Sequence, residues 1–189
     1  MALTRIGGAN AITGTIPQGN IANASLGAVT ALPAAISTGK VLQVVETRKT
    51  DTASTTSATY SAISGLSASI TPASSSNKIL VIYNVAVSSG NHAHTVISRD
   101  SGSSFVGSGV ASGSRPATNT YHYEDANSSR LGTVTVLDSP SSTSALTYQI
   151  YWRTNASTAY INRTQNDVDA GYGARSASSI TLMEIAGWL

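Results

Sequence analysis

There is no cysteine in this 189-residue sequence, which excludes disulfides and thiolate metal sites and leaves packing or oligomerisation to supply any extra stability. Charge is scarce as well: Asp, Glu, Lys and Arg together make up 11%, against about 25% in an ordinary soluble protein. A nucleic-acid binder clusters Lys and Arg along one surface to neutralise phosphates. Here the 11 basic and 9 acidic residues leave a net charge of only +2, and Arg48-Lys49 is the only adjacent basic pair. Nucleic acid is therefore not an expected partner. Long apolar runs are missing too. The longest, Ile79, Leu80, Val81, Ile82 and Tyr83, falls far short of the roughly 20 residues that span a bilayer, so membrane insertion is not expected. The opening MALTRIGGAN has neither the basic start nor the apolar core of a signal peptide, and the expectation is a chain made in a cytoplasm and not exported by an N-terminal signal.

Ser, Thr, Ala, Gly and Asn fill the space that charge leaves. A surface solvated by hydroxyls and amides suits an exposed, salt-insensitive particle protein better than a cytosolic enzyme. The length fits one domain of roughly 100–200 residues plus an appendage, and the 41% of hydrophobic residues suffices for one core.

From residue 39 onward the chain reads as short β-like runs between Ser/Gly/Pro/Asn clusters. Strands are expected at 41–47, 66–71, 78–87, 94–99, 104–110, 131–137, 146–153, 158–162 and 179–185. In 146–153, Leu146, Tyr148, Ile150 and Trp152 share one face and Thr147, Gln149, Tyr151 and Arg153 the other, because strand side chains alternate. The apolar start of 78–87 predicts burial on both faces there, with alternation toward its end. No window sustains a 3.6-residue apolar period. The expected fold is an all-β, jelly-roll-like β-sandwich over residues 39–189, with long loops at 88–93, 111–129 and 165–176 placed to carry recognition.

Residues 1–38 differ. Ile12, Ile16, Ile21, Leu26, Val29, Leu32 and Ile36 recur at three- to five-residue intervals, yet Gly14, Pro17, Gly19 and Gly27 argue against a helix. An extended single copy leaves these side chains to water, whereas copies wound about an axis bury them against each other. Recurrent Ile and Leu argue against a plain flexible linker. This segment reads as an arm for assembly and attachment.

Few residues suggest chemistry. His92 and His94 put two imidazoles on one face of an extended segment, and three such pairs about a three-fold axis could bind an octahedral metal; a solvated loop pair is the alternative. Asp167 and Asp169 have a spacing seen in calcium loops but lack the rest of that pattern, and a polar turn is expected. Hydrolysis of a glycan needs two carboxyls about 5–9.5 Å apart, and Glu124, Asp125, Asp138 and Asp167 are the acids to weigh. Glu124 and Asp125 are adjacent, so on a strand they face opposite ways. Tyr121, His122, Tyr123 and Tyr172 fall in the long loops and are candidates for receptor contact, since tyrosine combines apolar area with a hydroxyl tip. No catalytic motif is found, and neither cofactor nor enzymatic activity is expected.

The ordered phrases GKVLQVVETRKTDTASTTS, GLSASITPASSSNKILVIYNVAV, ISRDS, VLDSPSSTSALTYQIYWRT, AYINRT and SSITLMEIAG resemble a domain of tail-fibre and fibre-like virion proteins. These belong to tailed phages of cyanobacteria and other aquatic bacteria. The resemblance covers roughly residues 39–187. It implies a virion protein, a homotrimer that attaches through residues 1–38 to a tail adaptor or nozzle protein, or to the capsid, and that meets a host-surface glycan or protein with its sandwich head. A capsid decoration, cement or head-fibre protein is the alternative, and a polysaccharide depolymerase a further one.

Overall fold

The computed structural model of the protein describes residues 40–171 and 173–187. The arm residues Ile12, Ile16, Ile21, Leu26, Val29, Leu32 and Ile36, and also Tyr172, lie outside the described residues. Period-two alternation decides most of what is seen. Ten strands form: β1 (Val41–Lys49), β2 (Ala53–Thr55), β3 (Ser61–Ile70), β4 (Lys78–Ser89), β5 (Ala93–Ser98), β6 (Thr120–His122), β7 (Arg130–Asp138), β8 (Leu146–Thr154), β9 (Ala159–Ile161) and β10 (Ser178–Ile185). Among the described residues there is no helix, and so none long and apolar enough to cross a membrane.

Two antiparallel sheets result. One has the order β1-β10-β4, with β7 on the free edge of β4 and β9-β2 continuing from the far end of β4. The other has the order β3-β8-β5-β6. The pairings β1 with β10, β3 with β8, β4 with β7 and β5 with β6 are nested one inside the next. The chain is thus one long antiparallel ribbon, rolled so that successive stages of the ribbon fall in opposite sheets. This is a jelly-roll β-sandwich, an arrangement that hides most strand edges by wrapping. The core between the sheets holds Ile63, Leu66, Ile70, Ile79, Val81, Tyr83, Val85, Ile97, Tyr148, Ile150, Trp152, Ile180 and Leu182. Tyr148, Ile150 and Trp152 alternate inward along β8 as their spacing requires.

Several expected elements differ from those found. Residues 104–110 make turns, not a strand. The Asp100 carboxylate accepts hydrogen bonds from the Ser98 hydroxyl at 2.6 Å and the Ser104 N–H at 2.9 Å, and Ser101 and Gly102 take φ of 60° and 90°. That local capping competes with extension. The 88–93 loop shrinks to residues 90–92, because Ser88 and Ser89 continue β4. The 111–129 loop contains β6. In β4 the burial runs opposite to expectation, alternating first and closed on both faces at the end. Its start has an open outer face, while at its end Tyr160 stands opposite Ser88 and Arg163 stacks on the Tyr160 ring at 3.9 Å. β2 lay hidden in a Ser/Thr-rich stretch with no apolar pattern.

β3 starts earlier than expected because it bulges. Ala62 pairs with Tyr151 and Ser67 with Gln149, so the extra β3 residues loop out around Gly65, whose φ is +80°. The Gln149 side chain bridges the gap by donating to the carbonyls of Ile63 at 2.7 Å and Leu66 at 3.0 Å.

On the outer face of the larger sheet, Val44, Met183, Leu80 and Leu137 are direct cross-strand neighbours in β1, β10, β4 and β7. Val44 is 56% and Leu137 53% exposed, so an apolar strip faces outward.

A buried carboxylate closes one end of the sandwich. Glu184 is buried and accepts hydrogen bonds from Gln43 Nε2 at 2.6 Å, the Ala73 N–H at 2.7 Å and Asn77 Nδ2 at 2.5 Å. Burial alone raises its pKa, but these donors outweigh it and hold the group below the usual carboxylate range. Glu184→Gln replaces one of the two acceptor oxygens with an amide donor, so that at least one of the three donors loses its partner and meets another donor. It is expected to lower stability by about 2 kcal/mol, read by urea unfolding at pH 7.

Candidate recognition surface

Strand parity sorts the residues of β6 and its flanks. Thr120 and His122 point between the sheets, and Tyr121 points outward. His122 is 1% exposed. The sequence places it among the receptor contacts, and the structure corrects this: it alternates with Tyr121 across the strand and faces β7. A Cβ added at Gly132 of β7 would fall 2.6 Å from His122 Cε1, so the ring packs against a position only glycine leaves free. Its Nε2 meets the Thr120 hydroxyl at 2.9 Å. Thr120 bonds Thr95, and Thr95 bonds the Tyr83 hydroxyl at 3.1 Å. This chain of polar contacts pins the short β6 from beneath. Burial, then the neighbouring Arg130 and His94 charges, push the His122 pKa down to about 4.

Above the sheet the sequence candidates come together. His92 just before β5, His94 within it, Tyr121 in β6 and Tyr123 just after it form one cluster. The His92 ring lies 5.6 Å from Tyr121 and 5.3 Å from Tyr123, and His94 meets Tyr121 edge-on at 5.5 Å. His92 Nδ1 is hydrogen-bonded to the Tyr121 hydroxyl. Tyr121 is 52% and Tyr123 57% exposed. Two large aromatic side chains therefore stand in solvent on a base that cannot easily shift.

The cluster continues across the sheet. His94 is the direct neighbour of Tyr121 on one side and of Arg153 in β8 on the other. Arg153 in turn lies 5.9 Å over the ring of Tyr60, just before β3. Tyr60 is held by donating to the Ala117 carbonyl at 2.6 Å and by edge contact with Phe105 at 4.8 Å. Among the described residues no carboxylate pairs with Arg153, and its Nε is enclosed without an acceptor. His94 Nδ1 is likewise enclosed and unpartnered. Burial first, then Arg153 and His92, lower the His94 pKa, so the imidazole is neutral near pH 7. Arg153 and Tyr60 were not singled out from sequence. The parity of β8 already put Arg153 outward, but nothing local said which strand would lie beside it.

The acids are elsewhere and engaged. Glu124 binds Arg130 at 2.7 Å, and Asp138 binds Arg99 at 2.8 Å while accepting from the Tyr148 hydroxyl at 2.7 Å. Asp167 sits between Arg163 at 3.0 Å and Arg175 at 2.8 Å, in a turn where its own φ is 50°. Asp125 accepts from the Asn127 N–H at 2.8 Å. The turn around Asp167 and Asp169 lines a polar cleft with Thr164 and Arg175, but two guanidinium groups occupy the Asp167 oxygens. Among the described residues no three His, Cys, Asp or Glu side chains converge as metal ligands within one chain, and His92 Nδ1 is committed to Tyr121.

No protein-family model matches the chain, and no curated protein matches it. The function is therefore argued from the residues themselves.

Proposed function

We propose that the protein is a phage virion protein that recognises the host surface, a short homotrimeric tail fibre attached to another virion protein through residues 1–38. The observation that carries this reading is the pair Tyr121, in β6, and Tyr123, just after it, both more than half exposed beside a strand locked from below. Rigid exposed tyrosines are costly in water and typical of contact surfaces. Engagement of Glu124, Asp138 and Asp167 by arginine supports binding without cleavage, and the resemblance over residues 39–187 supports a virion role. The jelly roll also serves capsid and lectin domains, a fold-level analogy that adds weight without deciding function. Three identical heads raise weak single-site affinity through effective concentration.

The test is binding of fluorescent protein to host cells, with a native mass measured on the same sample. Tyr121→Ala combined with Tyr123→Ala is expected to weaken cell binding at least about tenfold while the thermal midpoint stays within a few degrees. Unchanged binding sinks the recognition reading, and a monomeric full-length chain sinks the homotrimer. The outward strip of Val44, Met183, Leu80 and Leu137 favours a second reading, a capsid decoration protein laid flat against another subunit. Antibody labelling of virions separates the two, since tail labelling supports the fibre and shell labelling the decoration protein.

A further inference from the structure

We infer that the outward row Tyr121–His94–Arg153–Tyr60 is a binding site for a carboxylate-bearing saccharide, such as a polymer of uronic or nonulosonic acids. This rests on the recognition reading above and names the chemistry it would use. Arg99, Arg130, Arg163 and Arg175 each hold a carboxylate of this chain. Arg153 holds none, although it is only partly exposed and its Nε is enclosed. A partly covered guanidinium without a counter-charge is unfavourable, and a planar carboxylate pairing with its uncovered part relieves that.

The neighbours complete a sugar site. His94 stands beside Arg153 on the same outward face, and its neutral imidazole lies between the guanidinium and Tyr121. Tyr121, on the far side of His94, offers an exposed ring face to the C–H face of a pyranose. Strands lie about 4.8 Å apart, so Tyr121 to Arg153 spans about 10 Å, close to the length of two sugar rings. Tyr60, fixed through Ala117, lies beneath the guanidinium at 5.9 Å. Among the described residues no carboxylate forms an ion pair with a member of the row. The charged and titratable groups that line it are His92, His94, Arg153, Tyr60, Tyr121 and Tyr123, with Tyr151 two residues before Arg153 on the same face of β8.

The experiment is titration of the full-length protein with a panel of oligosaccharides of uronic and nonulosonic acids, their methyl esters, and sulfated and neutral counterparts. Expected is binding of at least one acidic member, weakened about tenfold or more by esterification. Arg153→Gln should abolish it, and Arg153→Lys, which keeps the charge but loses the fork, should weaken it about tenfold. Thermal midpoints of both variants confirm folding, and Tyr121→Ala gives an independent loss should Arg153→Gln fail to fold. Equal binding of acid and ester, preference for sulfated or neutral sugars, or no binding across the acidic panel overturns the assignment. Host-cell binding that persists in Arg153→Gln but fails in the Tyr121/Tyr123 double variant overturns this site while leaving the recognition reading intact. Failure of cell binding by the unaltered protein overturns both.

Discussion

Between pH 7 and pH 5 the protein is expected to lose about 2 kcal/mol of folding stability through His122 alone, rising to about 3 kcal/mol at pH 4. The cause is the ring wedged between Thr120 and Gly132 with its Nδ1 enclosed and unpartnered. Burial, with the nearby Arg130 and His94, brings its pKa from 6.5 to about 4. The unfolded chain takes up a proton near pH 6.5, whereas the folded one resists until about pH 4. In that window the unfolded state binds more protons, so stability is full above pH 6.5 and falls as the pH drops through it. Urea unfolding at pH 7 and pH 5 measures the loss. His122→Gln removes the titrating group and is expected to flatten this part of the acid limb by about 2 kcal/mol, whatever its absolute stability. An acid limb that is the same in the variant and the unaltered protein would show that His122 is not the group responsible. Because His122 lies directly beneath Tyr121 and Tyr123, the same protonation should loosen β6, and hydrogen exchange at Tyr121 should accelerate at pH 5.

Asn162→Ala is expected to lower stability by about 3–5 kcal/mol, a large share of the 5–15 kcal/mol typical of a domain. Asn162 is fully buried just after β9 with φ of 61°. Its Nδ2 donates to the carbonyls of Lys49 and Asp51, both at 2.9 Å, and its Oδ1 accepts from the Ser178 hydroxyl at 2.6 Å. Ser178 Oγ in turn accepts from the Ala86 N–H at 3.1 Å, and the Asn162 N–H reaches the Ala86 carbonyl at 3.0 Å. One side chain thus joins the end of β1, the middle of β4 and the start of β10. Alanine leaves the buried Lys49 carbonyl, the part-buried Asp51 carbonyl and the Ser178 hydroxyl proton without these partners, and it disfavours the left-handed backbone by about 1 kcal/mol. Asn162→Gly removes the same hydrogen bonds without the backbone penalty, so it should be the milder variant by about 1 kcal/mol. A loss below about 1 kcal/mol for Asn162→Ala would refute the role given to this network.

The elements that were legible in the sequence are those whose signal is local. Leu146 to Thr154 alternates cleanly, and its buried face is the one the spacing names. His92, His94, Tyr121 and Tyr123 were recognisable as candidates by residue type. β6 was not legible, since three residues in a polar segment carry no propensity signal. It exists because β5 supplies a partner and the Asn119 side chain extends the ladder, accepting from the Ile97 N–H at 2.9 Å and donating to the Val106 carbonyl at 3.1 Å. The inward turn of His122 follows from that pairing, and so could not be seen while the segment read as a loop. Glu184 and Asn162 were equally silent. A lone acid and a lone amide have no pattern until distant strands bring donors and carbonyls to them.

By itself the sequence determined the all-β class, the parity of the strong strands, the absence of disulfide support and the low-charge surface, because each depends on composition or on a two-residue period. Only the tertiary structure decided the nested pairing of β1 with β10, β3 with β8, β4 with β7 and β5 with β6. It also set Tyr121, His94 and Arg153 side by side from three separate strands. The physical reason is that strand alternation is written in neighbouring residues, while the choice of partner and register is made between residues far apart in the chain, by the burial that rolling the whole ribbon achieves.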